Sequence, residues 1–319
     1  MHSSEAVMPI PVEPYDDESG IGYCLRAISA NGANLHGLRR LVEIDNIGRF
    51  TARHAPALAR LFQTSSQWFE RALPTAEKSS SPQRDWYGHR WFYRNHLRPL
   101  NPQVCVECLH MKGYCRAIWD VTLATVCVEH KCFLVDACAQ CAKPLRWDRL
   151  RIDVGHCKHV LKQARSPEAP HEMLEFQAVL DDLFHHPNVP SRLVGKFFHP
   201  SMCELSLCGV LTVVVAFGVM TKPYEPIHST IRSKTFSSQQ WVKVVLRAIP
   251  RIRMLFDDSI ESNALAPFVL ESLLENMANK HDSENDQMVA IRVLERLFDR
   301  KIQAKFGSKL ASLSQLKLF

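Results

Sequence analysis

Seven of the chain's eleven cysteines lie between Cys105 and Cys141, in the stretch CVECLHMKGYCRAIWDVTLATVCVEHKCFLVDACAQC. Nothing else in the sequence limits the fold as much. The opening MHSSEAVMPIPVEPYDDE has no basic n-region and no long apolar run. A secretory leader is therefore not expected, and the thiols belong in a reducing compartment where disulfides are rare. Clustered cysteines in that setting bind metal more often than they pair.

Their spacing agrees. Cys105-x2-Cys108 is followed after 18 residues by Cys127-x2-His130. Two tight turns each offer two soft or borderline donors, and a linker of ~15–20 residues can bring them to one tetrahedral zinc ion. A second set begins with Cys138-x2-Cys141 and continues 15 residues later at Cys157. A regular ribbon would place its last ligand at position 160, where Val160 stands. His159 is the preferred substitute, with His156 or a residue from elsewhere as alternatives. Two zinc ions per chain follow. Cys115 and Cys132 are surplus and read as small buried hydrophobes, although Cys132 can compete as a ligand.

Neither donor set has the marks of catalysis. A catalytic zinc keeps an open coordination position beside a carboxylate. The chain has no HExxH, since HEMLE at 171 lacks the second histidine. It has no H-x-E followed by P-C-x-x-C and no G-x-x-x-x-G-K-[ST]. Zincin, nucleobase deaminase and P-loop chemistry are thus unsupported. An enzyme is not expected.

Charge is unevenly spread. Residues 1–34 carry one Arg against five acids, residues 35–165 carry 21 Lys and Arg against 11 acids, and residues 166–319 carry 17 of each. The basic excess sits where the cysteines are and suits a phosphate-bearing partner. Arg39, Arg40, Arg49, Arg53 and Arg60 form a basic cluster before the cysteines. In RDWYGHRWFYRNHLRPLNPQ, 84–103, Arg84, Arg90, Arg94 and Arg98 alternate with aromatic residues. That pattern fits a nucleic-acid or partner surface. It equally fits aromatics packed beneath the zinc knuckles with solvated arginines between them.

The helical signals are strong and the strand signals scarce. Ile21, Cys24, Leu25 and Ile28 make one stripe over 17–30, with Asp16 or Asp17 as cap and Asn31-Gly32 as stop. A second helix begins near Leu35 and carries Leu38, Leu41 and Val42. Residues 55–74 read as two short helices around Gln63-Thr64, with Ser65 capping the second and Leu58, Leu61, Trp68 and Leu73 inward. Ser/Pro-rich segments at 74–85 and 164–172 separate an N-terminal helix-turn-helix-like module (1–80), a tandem zinc-knuckle region (81–165) and a helical C-terminal domain (166–319). In the last, helices are predicted at 172–184, 205–220, 237–249 and 287–306, the final one aligning Ile291, Leu294, Phe298 and Ile302. The apolar run Leu205–Met220 is shorter than the ~20 residues that span a bilayer and reads as a core helix, so no membrane is expected. The fold class is mainly α.

In this order the residues resemble a family. Pro9-Ile10-Pro11, Asp17-Glu18-Ser19, Leu25-Arg26 and Asn31-Gly32 precede Cys105-x2-Cys108-Leu109, Arg116, Trp119, Cys127-x2-His130, Cys138-x2-Cys141 and Leu145. The arrangement, over about residues 8–160, is similar to the TniQ family, the TniQ/TnsD-like target-selection adaptors of bacterial transposons. The family's last knuckle commonly ends in a cysteine, where this chain has Val160. Gly20 and Gly22 fall where larger residues usually strengthen the first helix. The resemblance implies a non-enzymatic adaptor in the bacterial cytoplasm, associated with the nucleoid. Its partners would be an AAA+ transposition ATPase of the TnsC or TniB type, DNA or guide RNA, and in some systems an RNA-guided CRISPR effector complex. A homodimer is among the assemblies it admits. The neutral C-terminal half argues for docking on proteins over direct DNA reading. The alternative is a zinc-containing helix-turn-helix transcription regulator that reads bases through residues 55–74.

Overall fold

The computed structural model describes residues 7–44, 50–75, 84–91, 96–161, 166–224, 236–257 and 262–298. The chain divides into two compact units, Met1–Gln177 and Ala178–Phe319. The division falls inside a helix, shortly after the 164–172 segment.

The first unit opens with helix α1, Gly20–Ala30, which buries Ile21, Cys24, Leu25 and Ile28. Its cap is Ser19, whose Oγ accepts from the Gly22 amide, and not Asp16 or Asp17. Asp17 is engaged elsewhere, by Arg116 and Tyr114. Gly20 and Gly22 are close-approach positions. A Cβ on Gly20 would lie 2.5 Å from the Ala72 carbonyl oxygen, and one on Gly22 would lie 3.0 Å from the Cys115 Cβ. The small residues let α1 touch its neighbours, so they do not mark a weak helix.

Helix α2, Leu35–Leu41, buries Leu35 and Leu38. Leu41, expected inside, is 54% exposed. The helix stops there and the chain turns through Glu43 at φ 54°. Helices α3, Ala55–Phe62, and α4, Ser66–Ala72, are joined by left-handed Gln63, and Ser65 caps α4 by accepting from Trp68 N. Leu58, Leu61 and Leu73 are buried. Trp68 is half-buried, donating its indole N–H to the Tyr15 carbonyl. The sequence did not signal the antiparallel hairpin of β1, Arg84–Trp86, and β2, His89–Trp91. Its turn uses Tyr87 and Gly88, both at positive φ.

Helix α5, Val106–Lys112, and a small hairpin of β3, Val126–Cys127, with β4, Cys132–Phe133, belong to the cysteine-rich part. Helix α6, His171–His185, follows.

In the second unit, α7, Arg192–Phe197, precedes α8, Leu207–Gly218, which is buried at every position. Its apolar run is the core helix foreseen from the sequence. Packed on α8 are α9, Ser238–Leu255, and α10, Glu271–Lys280, and α10 packs on α11, Glu284–Phe298. Helix α9 runs past its predicted end and through Pro250. Its buried face continues through Ile252 and Leu255, while Arg251 and Arg253 donate to the carbonyls of Phe217 and Phe197. In α11, Ile291 and Leu294 are buried and Phe298 is half-buried, whereas Ile302 lies outside the described residues.

One buried polar joint ties α8 to α11. Asp286 accepts from Ser206 N at 2.8 Å, Ser206 Oγ at 2.5 Å and the His281 ring at 3.0 Å. Burial alone would lower the His281 pKa, but its bonds to Asp286 and Cys208 raise it to about 10. Among the described residues no helix is long and apolar enough to cross a membrane.

Candidate metal centres

The first centre is built by a helix start and a hairpin turn. Cys105 is the N-cap of α5 and its sulfur accepts from Cys108 N, which fixes the Cys-x2-Cys knuckle. Cys127 ends β3, and His130 lies in the turn that returns the chain to β4. Gln103, buried just before the knuckle, donates to the carbonyls of Val121 and Ala124 at 3.0 and 2.8 Å. This clamps the loop that delivers Cys127 to the loop that delivers Cys105. Paired amide bonds between Val104 and Val135 close the other side.

The four donor atoms of Cys105, Cys108, Cys127 and His130 all lie within 4.8 Å of one another. His130 Nδ1 is 3.4 Å from the Cys105 sulfur, 3.2 Å from that of Cys108 and 3.6 Å from that of Cys127, and the Cys108 and Cys127 sulfurs are 3.6 Å apart. With Zn–S bonds of about 2.3 Å and Zn–N bonds of about 2.0 Å, the edges of a tetrahedron are roughly 3.4–3.8 Å. The donors therefore fit one tetrahedral ion with no position left open. Hydrogen bonds from the Cys108 and Cys127 thiols hold Cys105 below the usual thiol range, and the same bonds push Cys108 up.

The second centre joins two tight turns. An isolated bridge between Ala137 and Pro144 flanks Cys138 and Cys141, and another between Val154 and Val160 flanks Cys157 and His159. Ala142 and Lys158 turn the chain at positive φ, and Gly155 N bonds the His159 carbonyl. Donor atoms of Cys138, Cys141, Cys157 and His159 again lie within 4.8 Å of one another. His159 Nδ1 is 3.5 Å from the Cys138 sulfur, while His156 faces Asp148 and Val160 points away, 44% exposed.

All eleven cysteines are free thiols. Cys115 is fully buried, its thiol pushed up by burial to about 12, with an Arg149 N–H directed at its sulfur. It is a packing residue. Cys132 lies beside the first centre.

A clasp the sequence did not reveal attaches α1 to the cysteine-rich segment. Asp17 accepts from Arg116 Nε and from the Tyr114 hydroxyl, both at 2.8 Å, and its carbonyl accepts from Ala117 N. Ser19 Oγ donates to Asp120 at 2.6 Å. Glu18, fully buried, takes two bonds from Arg26, and the Tyr87 hydroxyl donates to its carbonyl. Asn31 exchanges two bonds with the backbone of Ile10, which holds the Pro-x-Pro segment against the end of α1.

Among the described residues, the arginines expected on a binding surface differ in exposure. Arg40, Arg53 and Arg60 are exposed. Arg39 is half-buried and donates to the Ile44 carbonyl, and Arg90 pairs with Asp85. Arg84 is half-buried on β1. Arg98 is only 7% exposed and bonds Asp136 and the Asn101 carbonyl, so it is a structural cation and does not present itself to a partner. Arg49 and Arg94 lie outside the described residues. Trp86, Tyr87 and Trp91 pack inside, with the Trp86 indole donating to the Ala72 carbonyl and that of Trp91 to the Trp86 carbonyl. These three aromatics thus support the fold and are not available for stacking on bases, while Phe92 and Tyr93 lie outside the described residues.

Residues 9–134 match the TniQ family model. This segment is similar to the TniQ family. TniQ proteins are non-catalytic adaptors associated with transposition, and the matched segment contains both the clasp and all four donors of the first centre. The second centre lies beyond it. No curated protein matches the chain.

Proposed function

We propose that this protein, similar to TniQ over residues 9–134, is a non-enzymatic targeting adaptor. It links a target-recognition complex to the transposon's AAA+ ATPase and thereby to the transposase. One observation carries the reading. The TniQ match spans the region in which Asp17, Glu18 and Ser19 clasp α1 to a metal-braced segment, which makes a rigid platform out of short helices. Each donor set gathers three thiols and one imidazole within 4.8 Å, the complement of a closed four-coordinate site, and closed sites supply rigidity. Zinc is the ion such donors select, one in each centre.

Of the recognition devices, an RNA-guided CRISPR effector is preferred over direct reading of target DNA. The residues from 166 onward carry equal numbers of basic and acidic side chains. A regulator reading bases through α4 is less favoured. The exposed face of that helix carries Gln67, Glu70 and Arg71, and Arg71 is held by Asp16. The contact face for ATPase or effector is assigned to exposed Arg53 and Arg60 beside α3.

The test is Arg53→Glu with Arg60→Glu, read by pull-down with ATPase and with effector and by insertion frequency in cells. The reading requires a folded, fully metallated protein with weakened recruitment and insertion, because like charges placed across an interface cost several kcal/mol. Unchanged insertion by the folded variant would remove this face from the adaptor function. Tight sequence-specific binding of isolated protein to duplex DNA would favour the regulator.

A further inference from the structure

A fifth thiol lies beside the four donors of the first centre, against one of them. Cys132 opens β4 directly opposite Cys127 in the hairpin register. Its sulfur is 3.9 Å from the Cys105 sulfur, close to the edge length of the donor tetrahedron, and the residue is only 8% exposed. A small packing residue would not need to direct a thiol at a ligand sulfur. Among the four resident donors, His130 is the only one that is not buried, and it sits in the turn between Cys127 and Cys132. The residue between His130 and Cys132 is Lys131, at φ 51°.

We propose that Cys132 is a reserve ligand of the first metal centre, taking the position of His130 whenever the imidazole is lost or displaced. The inference rests on the metal reading above. At rest Cys132 stays outside the donor set, its sulfur against that of Cys105. Charge favours this arrangement, because a fourth thiolate would add a second net negative charge to a buried site. In the exchange the Zn–N bond breaks, the Cys132 proton leaves to the freed imidazole or to water, and a Zn–S bond forms. No electrons are transferred. The site passes from three sulfurs and one nitrogen to four sulfurs without opening.

Metal content and cobalt(II) spectra of the full chain test this, with zinc and cobalt as the probes. The wild type and Cys132→Ser should each bind two ions. His130→Ala should also bind two, and its cobalt form should gain thiolate-to-cobalt charge-transfer absorption equivalent to one further sulfur. The double variant should bind one. The proposal is overturned if His130→Ala has already lost one ion, or if it keeps both with no added sulfur, because water then completes the site. His130→Gln covers poor folding of the alanine variant, and failure of both to fold with metal would show that nothing replaces His130. A wild type that binds no metal overturns the metal reading itself, and this proposal with it.

Discussion

The two centres share one donor chemistry, three thiols and an imidazole, in different surroundings. In the first, Cys105, Cys108 and Cys127 are all buried, and Gln103, the Val104–Val135 bridge and the α5 cap hold the donors from three directions. In the second, only Cys138 is buried, Cys141, Cys157 and His159 reach solvent, and the support consists of two local turns. The first centre lies at the junction with the clasp to α1, and the second is a peripheral staple. The same chemistry thus supports different amounts of structure, depending on how much packing converges on it.

The largest effect that could break this contrast is loss of a ligand. Cys108→Ser should abolish folding of the first unit, seen as aggregation and loss of near-UV circular dichroism. Structural zinc supplies about 10–16 kcal/mol of binding free energy to such domains. Cys141→Ser should leave a folded protein with one ion fewer. A folded Cys108→Ser would place the two centres on an equal footing.

The second unit, with no metal cluster among its described residues, serves as the internal control. Its counterpart to a metal is the buried Asp286–His281 pair. Asp286→Ala should cost about 3–5 kcal/mol, because it strands a buried imidazolium. The folded His281 pKa, raised to about 10, exceeds its unfolded value near 6.5. The stabilisation is therefore complete below that unfolded value and is lost as pH rises through 10. Urea melts of the second unit from pH 6 to pH 10 should follow this fall in wild type and be flatter in Asp286→Ala.

A smaller effect is expected at the clasp. Asp17→Ala removes two side-chain bonds and should lower first-unit stability by about 1–3 kcal/mol, with zinc content unchanged. Loss of zinc from that variant would mean that the clasp helps to form the first centre and does not merely rest on it. The mildest perturbation is brief chelation. The exposed second ion should leave first, about tenfold faster or more, since outer-shell support is worth at least that much in metal retention. Simultaneous loss would contradict the difference in burial.

The features readable from the sequence are those fixed by short covalent spacing. The donor pairs, the α3–α4 turn at Gln63 with its Ser65 cap, and the all-apolar α8 each lie within a few consecutive residues. The clasp was hidden because Ser19 meets Asp120 and Asp17 meets Arg116 about a hundred positions away. Gly20 and Gly22 looked like helix weaknesses for the same reason: their neighbours, Ala72 and Cys115, are distant in sequence. The alternation of arginines with aromatics misled at Arg98, since a local pattern does not see a buried pair with Asp136. Strands of three residues, as in 84–91, are too short to show a period. His159 was recognisable as a donor but not its geometry, which depends on Lys158 turning at φ 67°.

The central claim is that two closed metal centres brace a TniQ-like platform. Zinc per chain, measured on full-length protein purified without chelator, tests it most directly. The account predicts two equivalents. One equivalent would restrict the claim to the first centre, and none would contradict it outright.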